Sequence, residues 1–165
     1  MKRVIAAIVI AATCATPVLA AETDRTVAGA ARVIDGDSLV VGGVRIRILD
    51  VDAPESGQFC FTRSQPVDQG AWHCGRLAAR ALSEEIGDQK VSCDMTARGV
   101  RKGWLARCSV GGQDLAQWLA ANGWAVPAPD CKCEVVRSAS DQAKAEGRGI
   151  WSSAFTMPWD WRKAR

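Results

Sequence analysis

The stretch RVIDGDSLVVGGVRIRILDVDAPE, residues 32–55, decides how the rest of the chain must be arranged. Its two runs of β-branched apolar residues, Ser38–Val41 and 44–50, flank Gly42-Gly43, a pair that tolerates the positive φ angles of a two-residue hairpin turn. In the second run, period-two alternation puts Val44, Ile46 and Ile48 on one face and Arg45 and Arg47 on the other, so one face is core and the other carries charge. Asp35-Gly36-Asp37 has turn chemistry ahead of the first run, and Pro54 cannot continue a ladder after the second. Closing this hairpin brings its two ends together, which makes Asp37, Asp52 and Glu55 neighbours in space.

Clustered carboxylates repel unless positive charge sits among them, and a hard cation with oxygen ligands, Ca²⁺ where the cage is loose, is the usual solution. The backbone carbonyl of Ala53 can add a ligand there, and Arg47 offers a planar fork suited to phosphate oxygens. These are parts of a phosphodiesterase. Asp-Gly-Asp turns and Asp-x-x-Glu pairs are common, so on spacing alone a solvated turn on a small barrel stays an equal alternative.

The run I-D-G-D-S followed by R-I-R-I-L-D-V-D-A-P-E resembles the signature of the staphylococcal nuclease (thermonuclease) family. An apolar helix, a hairpin, L-A-x-W-L-x-x-x-G-W-A and a C-terminal helix ending in G-I-W follow in the same order, so the likeness covers residues 27–151. It implies Ca²⁺ held by Asp37, Asp52 and the carbonyl of Ala53, Glu55 as general base or water-orienting carboxylate, and Arg47 on the scissile phosphate. Ser38 stands where the family often has Thr.

The first 20 residues read as an export signal. Lys2-Arg3 precede an apolar run too short to span a bilayer, and Val18-Leu19-Ala20 makes a small-residue cleavage site. Cys14 falls inside this segment and is expected to be discarded with it. Losing two basic and no acidic residues takes the net charge from +3 to about +1, which argues against a strong sequence-independent grip on nucleic acid. No other run is apolar enough to be a membrane span. The expected product is a periplasmic or secreted monomer with one domain, residues 21–151, and a tail, 152–165, folded onto it.

Six cysteines remain in that exported part, an even number for an oxidising compartment. With strands at 90–95 and Trp104–Val110, a hairpin centred between Val100 and Arg101 puts Cys93 opposite Cys108. Cys60 and Cys74 could close the loop after Glu55, a staple of ~3 kcal/mol in the chain-entropy account. A metal site on Cys131-Lys132-Cys133 with His73 has the wrong spacing for zinc.

Around these features, residues 26–34 read as a first strand, and residues 75–86 and 114–122 as helices with an apolar face. Residues 134–146 read as a charged outer helix. The departures from the family pattern fall in the later hairpin and beyond. The position of the family's second phosphate-contacting arginine holds Gly103, with Arg101 and Arg107 nearby as candidate substrate contacts. The chain has no tyrosine, so base stacking falls to one of seven tryptophans. Losing a preorganised charge typically costs ~10²–10³ in rate. The expected fold is mainly β with helices (α+β): a five-stranded OB-type barrel with three helices. The expected function is a Ca²⁺-dependent nuclease acting on DNA or RNA. The alternative is a catalytically weak or inactive barrel that binds nucleic acid or another ligand, and a third is a periplasmic interaction protein.

Overall fold

A computed structural model describes residues 25–63, 70–99 and 103–165. The expected export segment, the middle of the polar loop after Glu55, and Arg101 lie outside the described residues.

The long strand β1 (Thr26–Asp35) runs into β2 (Ser38–Val41) and β3 (Val44–Ile48), with Val41 facing Val44 across the Gly42-Gly43 turn. Both glycines have positive φ, 55° and 80°, as a two-residue hairpin of this twist requires. The second run stops at Ile48 rather than reaching Asp50, because Asp50 takes a left-handed conformation, φ 74°, that ends the ladder. The chain then turns into the two-residue strand β4 (Val51–Asp52).

After the short pair β5 (Cys60–Thr62) and β6 (Ala71–Trp72), helix α1 (Cys74–Ile86) leads to β7 (Lys90–Arg98) and β8 (Trp104–Val110). β7 is three residues longer than the periodicity indicates; a register shift between Met95 and Ala97 lets the ladder continue past the point where alternation fails. The order β3-β2-β1-β7-β8 closes on itself through a parallel pairing of β3 with β8, Ile46 opposite Trp104 and Ile48 opposite Ala106. The result is a closed five-stranded barrel of the OB type, as the sequence leads one to expect.

The barrel is filled by Leu39, Val41, Ile46, Ile48, Val91 and Val110, and Leu82 and Ile86 of α1 join the same core. Strand β9 (Gln113–Asp114) leads to α2 (Leu115–Ala121), whose Leu115 and Leu119 enter the same core and whose cap, Asp114, accepts from Gln117 N at 2.8 Å. Strand β10 (Val126–Pro127) pairs with β4, and α3 (Glu134–Ala145) lays Val136, Ser140 and Ala143 inward with charges outward.

The tail is more ordered than an apolar covering. A 3₁₀ turn (Gly149–Ser152), β11 (Ser153–Ala154) and a fourth helix, α4 (Pro158–Lys163), follow in succession. Phe155, Met157 and Trp159 pack on a second, smaller core of Cys60, Cys74, Val126 and Ile150. Pro158 at the first turn of α4 supplies a preset φ for the helix start, a signal present in the sequence.

Three disulfides join Cys60 to Cys74, Cys93 to Cys108 and Cys131 to Cys133. The second links directly opposed residues of β7 and β8, at a Cα separation of 4.1 Å. Among the described residues no helix is long and apolar enough to cross a membrane.

Candidate active site

Six carboxylates and four arginines line one cavity of about 650 Å³, and Asp37, Asp52 and Glu55 are the carboxylates that Arg47 and Arg162 pair with. Asp37 enters at the start of β2, where its carbonyl accepts from Ile48 N at 2.8 Å and so pins the open end of the β2–β3 hairpin. Asp52 enters from β4, held beside the barrel by its pairing with Val126 of β10. Both side chains are almost fully buried, at 5% and 3% residue exposure, which a lone carboxylate would not tolerate.

Arg47 resolves part of that cost. It projects from the polar face of β3, and its Nη2 donates to Asp37 Oδ2 at 3.0 Å and to Asp52 Oδ1 at 2.7 Å. Ser38 Oγ donates to Asp37 Oδ1 at 2.8 Å, and Ala53 N donates to Oδ2 at 3.3 Å. Burial nevertheless pushes the Asp37 carboxyl above its ordinary range, with Arg47 the main opposing influence. Asp35 sits beside it, accepting from Gly36 N at 2.9 Å and Ser56 Oγ at 3.3 Å. Its carboxyl is pushed up to about 6, first by burial and then by the charges of Asp37 and Glu55, against the Gly36 hydrogen bond.

Glu55 is placed by backbone contacts. Its N–H donates to Oε1 of Gln58, a fully buried side chain, at 3.3 Å. Its carbonyl lies where α1 begins, so close that a Cβ on Gly75 would come within 1.8 Å of the oxygen. Only glycine allows the helix to seat there. The Cys60–Cys74 disulfide ties the same loop to the same helix.

The residue that sequence reasoning missed is Arg162. It reaches in from α4 and grips Asp52 side-on, Nη1 to Oδ1 at 2.8 Å and Nη2 to Oδ2 at 2.7 Å, while Nη1 also donates to Glu55 Oε1 at 2.7 Å. The hydrogen bond to Asp52 pushes the guanidinium further up from its already high range, so it stays charged at every ordinary pH. No linear spacing connects residue 162 to residue 52. The available signal was a tail with Pro158, Trp159 and Trp161 able to dock as a helix.

The cavity is also lined by Arg45, Arg98 and Trp104. Arg98 lies over the Trp104 ring, 3.9 Å from its centre, a cation–π contact within the lining of the same cavity. Gly103 lines the cavity too, so the position expected to bear a second arginine faces the site without a side chain. Arg107 does not line it. It points from β8 to Asp50, Nη1 2.7 Å from Oδ2, an ion contact without hydrogen-bond geometry.

The Cys-x-Cys metal alternative also resolves differently. Asp50, Cys131 and Cys133 bring their ligating atoms within 4.8 Å of one another, but the two sulfurs are joined to each other. His73 is not part of that group and stacks on Phe59, with ring centres 4.1 Å apart.

Two comparisons bear on this geometry. The family model described as staphylococcal nuclease homologue matches residues 45–153, well over half the chain and all of the site except the β1–β2 turn and the tail. The succinoglycan biosynthesis protein ExoI of Rhizobium meliloti (strain 1021) is 32% identical over 126 residues, covering 74% of this chain and 63% of that protein. The chain therefore spans somewhat less than two thirds of that relative's length.

Proposed function

The chain belongs to the family of staphylococcal nuclease homologues, and from that premise we propose that its cavity is the active site of an exported, Ca²⁺-dependent nuclease hydrolysing DNA or RNA. The carrying observation is the charge arrangement: Asp35, Asp37, Asp52 and Glu55 share one cavity, and among the described residues only Arg47 and Arg162 form ion pairs with this group, on Asp37, Asp52 and Glu55. That donor set is all oxygen, is partly buried and has two negative charges more than the arginines paired to it, which fits a hard divalent cation. Asp37, Asp52 and the carbonyl of Ala53 would hold it. When bound, it would supply Lewis-acid stabilisation of charge on a phosphate oxygen.

The chain's own residues supply the rest. Arg47 fixes both aspartates and presents a guanidinium to the phosphate. Arg162 engages Oε1 of Glu55, so Oε2 is the oxygen that takes a proton from the attacking water as the opposite phosphorus–oxygen bond breaks. Trp104, with Arg98 over its ring, offers a stacking surface for a base, the role the tyrosine-free sequence leaves to a tryptophan. The three disulfides suit an oxidising compartment, periplasmic or extracellular.

The test is cleavage of single-stranded DNA and RNA by the purified protein in Ca²⁺, in EGTA, and as Glu55→Gln. Cleavage that needs Ca²⁺ and falls ~10²–10³-fold in the variant is expected. Cleavage absent in Ca²⁺, or untouched by both treatments, removes the nuclease reading. A second reading is favoured by one observation, that a relative is named for succinoglycan biosynthesis. On it the barrel is a binding module, and binding of an oligonucleotide or an acidic saccharide without cleavage would support it.

A further inference from the structure

Arg162 is more than a surface counter-ion. Its helix is held in place by three separate contacts: Gln58 Nε2 donates to the carbonyl of Thr156 at 2.5 Å, Trp161 lies against Gly57, and Met157 and Trp159 pack on the second core. Gln58 is the same buried residue whose Oε1 holds the backbone of Glu55. The tail and the carboxylate loop are thus one assembly, and the guanidinium is delivered to a fixed place.

That place is shared. Asp52 Oδ1 accepts from Arg47 and from Arg162 at once, so the two forks stand side by side over a single oxygen. The side chain of Arg162 is 33% exposed and lines the cavity, so it can be reached from solvent. A planar fork that engages both oxygens of Asp52 uses the lone pairs that a cation on Asp52 would use. A divalent cation and the Arg162 fork cannot both hold that carboxylate closely without repulsion.

We infer that Arg162 is a substrate-contacting residue, a second arginine fork supplied by the C-terminal helix, which exchanges Asp52 for a phosphate oxygen of the nucleic acid when a divalent cation engages that carboxylate. This rests on the nuclease reading and deepens it by naming the group that grips the strand. The exchange follows from charge. A cation on Asp52 raises the energy of the guanidinium beside it, and a phosphate entering between Arg47 and Arg162 offers the fork a carboxylate-like partner. Cation and strand then favour each other's binding, a reciprocal coupling that runs through one side chain.

Two titrations test it on the full exported chain, one with Ca²⁺ alone followed by calorimetry, the other with a cleavage-resistant phosphorothioate oligonucleotide in Ca²⁺ followed by anisotropy. Arg162→Ala should bind Ca²⁺ alone about tenfold more tightly, since a competing charge is gone, and the oligonucleotide roughly tenfold or more weakly. Arg162→Lys, which keeps the charge without the fork, should recover part of the oligonucleotide affinity, and it carries the test if the alanine variant fails to fold. Unchanged oligonucleotide affinity in these variants overturns the proposal and leaves the nuclease reading intact. Tighter Ca²⁺ binding with equal or tighter oligonucleotide binding also overturns it, and makes Arg162 a plug on the carboxylates instead. Wild-type protein that takes up neither Ca²⁺ nor oligonucleotide removes the nuclease reading and this proposal together.

Discussion

Arg162 Nη2 lies 2.7 Å from Asp52 Oδ2, a contact between the last helix and the fourth strand across 110 positions of chain. Asp52 in turn holds Arg47, so one buried carboxylate joins the barrel to the tail. Substituting Asp52→Asn removes the charge that both arginines share. Because the two guanidinium side chains are 30% and 33% exposed, the stability lost should be about 1–2 kcal/mol rather than the larger cost of breaking a fully buried pair. Thermal denaturation checks that figure, and the cleavage rate of the same variant should fall by ~10² or more.

Asp35 makes the fold sensitive to pH. Its carboxyl is raised from the ordinary 3.8 to about 6, so the folded chain holds this proton more tightly than the unfolded chain. The stability it contributes is fully present below pH 3.8 and is lost as pH rises through 6. Asp35→Asn should abolish that part of the profile. At pH 7 the variant should be more stable by about 1 kcal/mol, discounted for partial solvent screening, a rise in Tm of roughly 2–4 °C. A Tm at pH 7 equal to or below that of the wild type would contradict the account.

The disulfides separate stability from site geometry. Cys93–Cys108 staples β7 to β8 within their ladder, closing 15 positions of chain, and the paired change to alanine should cost ~3 kcal/mol with the cleavage rate of the folded protein kept. Cys60–Cys74 closes a similar span of 14 positions, but it also holds the loop that carries Glu55 and Gln58. The matching pair of alanines should therefore lower both Tm and the rate. Equal effects of the two double variants on the rate, measured well below their melting temperatures, would count against this division.

Gly75 should not accept a side chain. A Cβ there would stand 1.8 Å from the Glu55 carbonyl oxygen and 2.5 Å from its carbon, both backbone atoms that no rotamer change can clear. Gly75→Ala should push the start of α1 away from the Pro54-Glu55 backbone, costing about 2 kcal/mol or more and shifting Glu55 from the cavity. A high-resolution structure of the variant, or failure of its activity at a temperature where it remains folded, checks the displacement.

Much of the fold was legible because it depends on local rules. The Gly42-Gly43 turn, the alternation around Ile46 and Ile48, and the symmetric placing of Cys93 and Cys108 about a hairpin centre each relate residues close in sequence. The juxtaposition of Asp37, Asp52 and Glu55 followed from the same hairpin. Asp50 was harder to read, since a non-glycine left-handed residue breaks a strand whose composition still favours it. The short strands β4, β5, β6, β10 and β11 carry too few residues for periodicity to show.

The sequence by itself determined the β2–β3 hairpin and with it the meeting of Asp37, Asp52 and the fork of Arg47, because strand period and turn chemistry act over a few residues, while the five-stranded barrel was legible through the family resemblance. Only the tertiary structure decided which other charges complete the cavity. Gly103 lines the cavity without a side chain, Arg98 lies over the ring of its neighbour Trp104, and Arg162 arrives from a helix that docks through a separate core. The physical reason is that docking of α4 is set by packing on the Cys60–Cys74 region and by the hydrogen bonds of Gln58, and where a packed helix aims a charged side chain of its last turn has no signature in linear spacing.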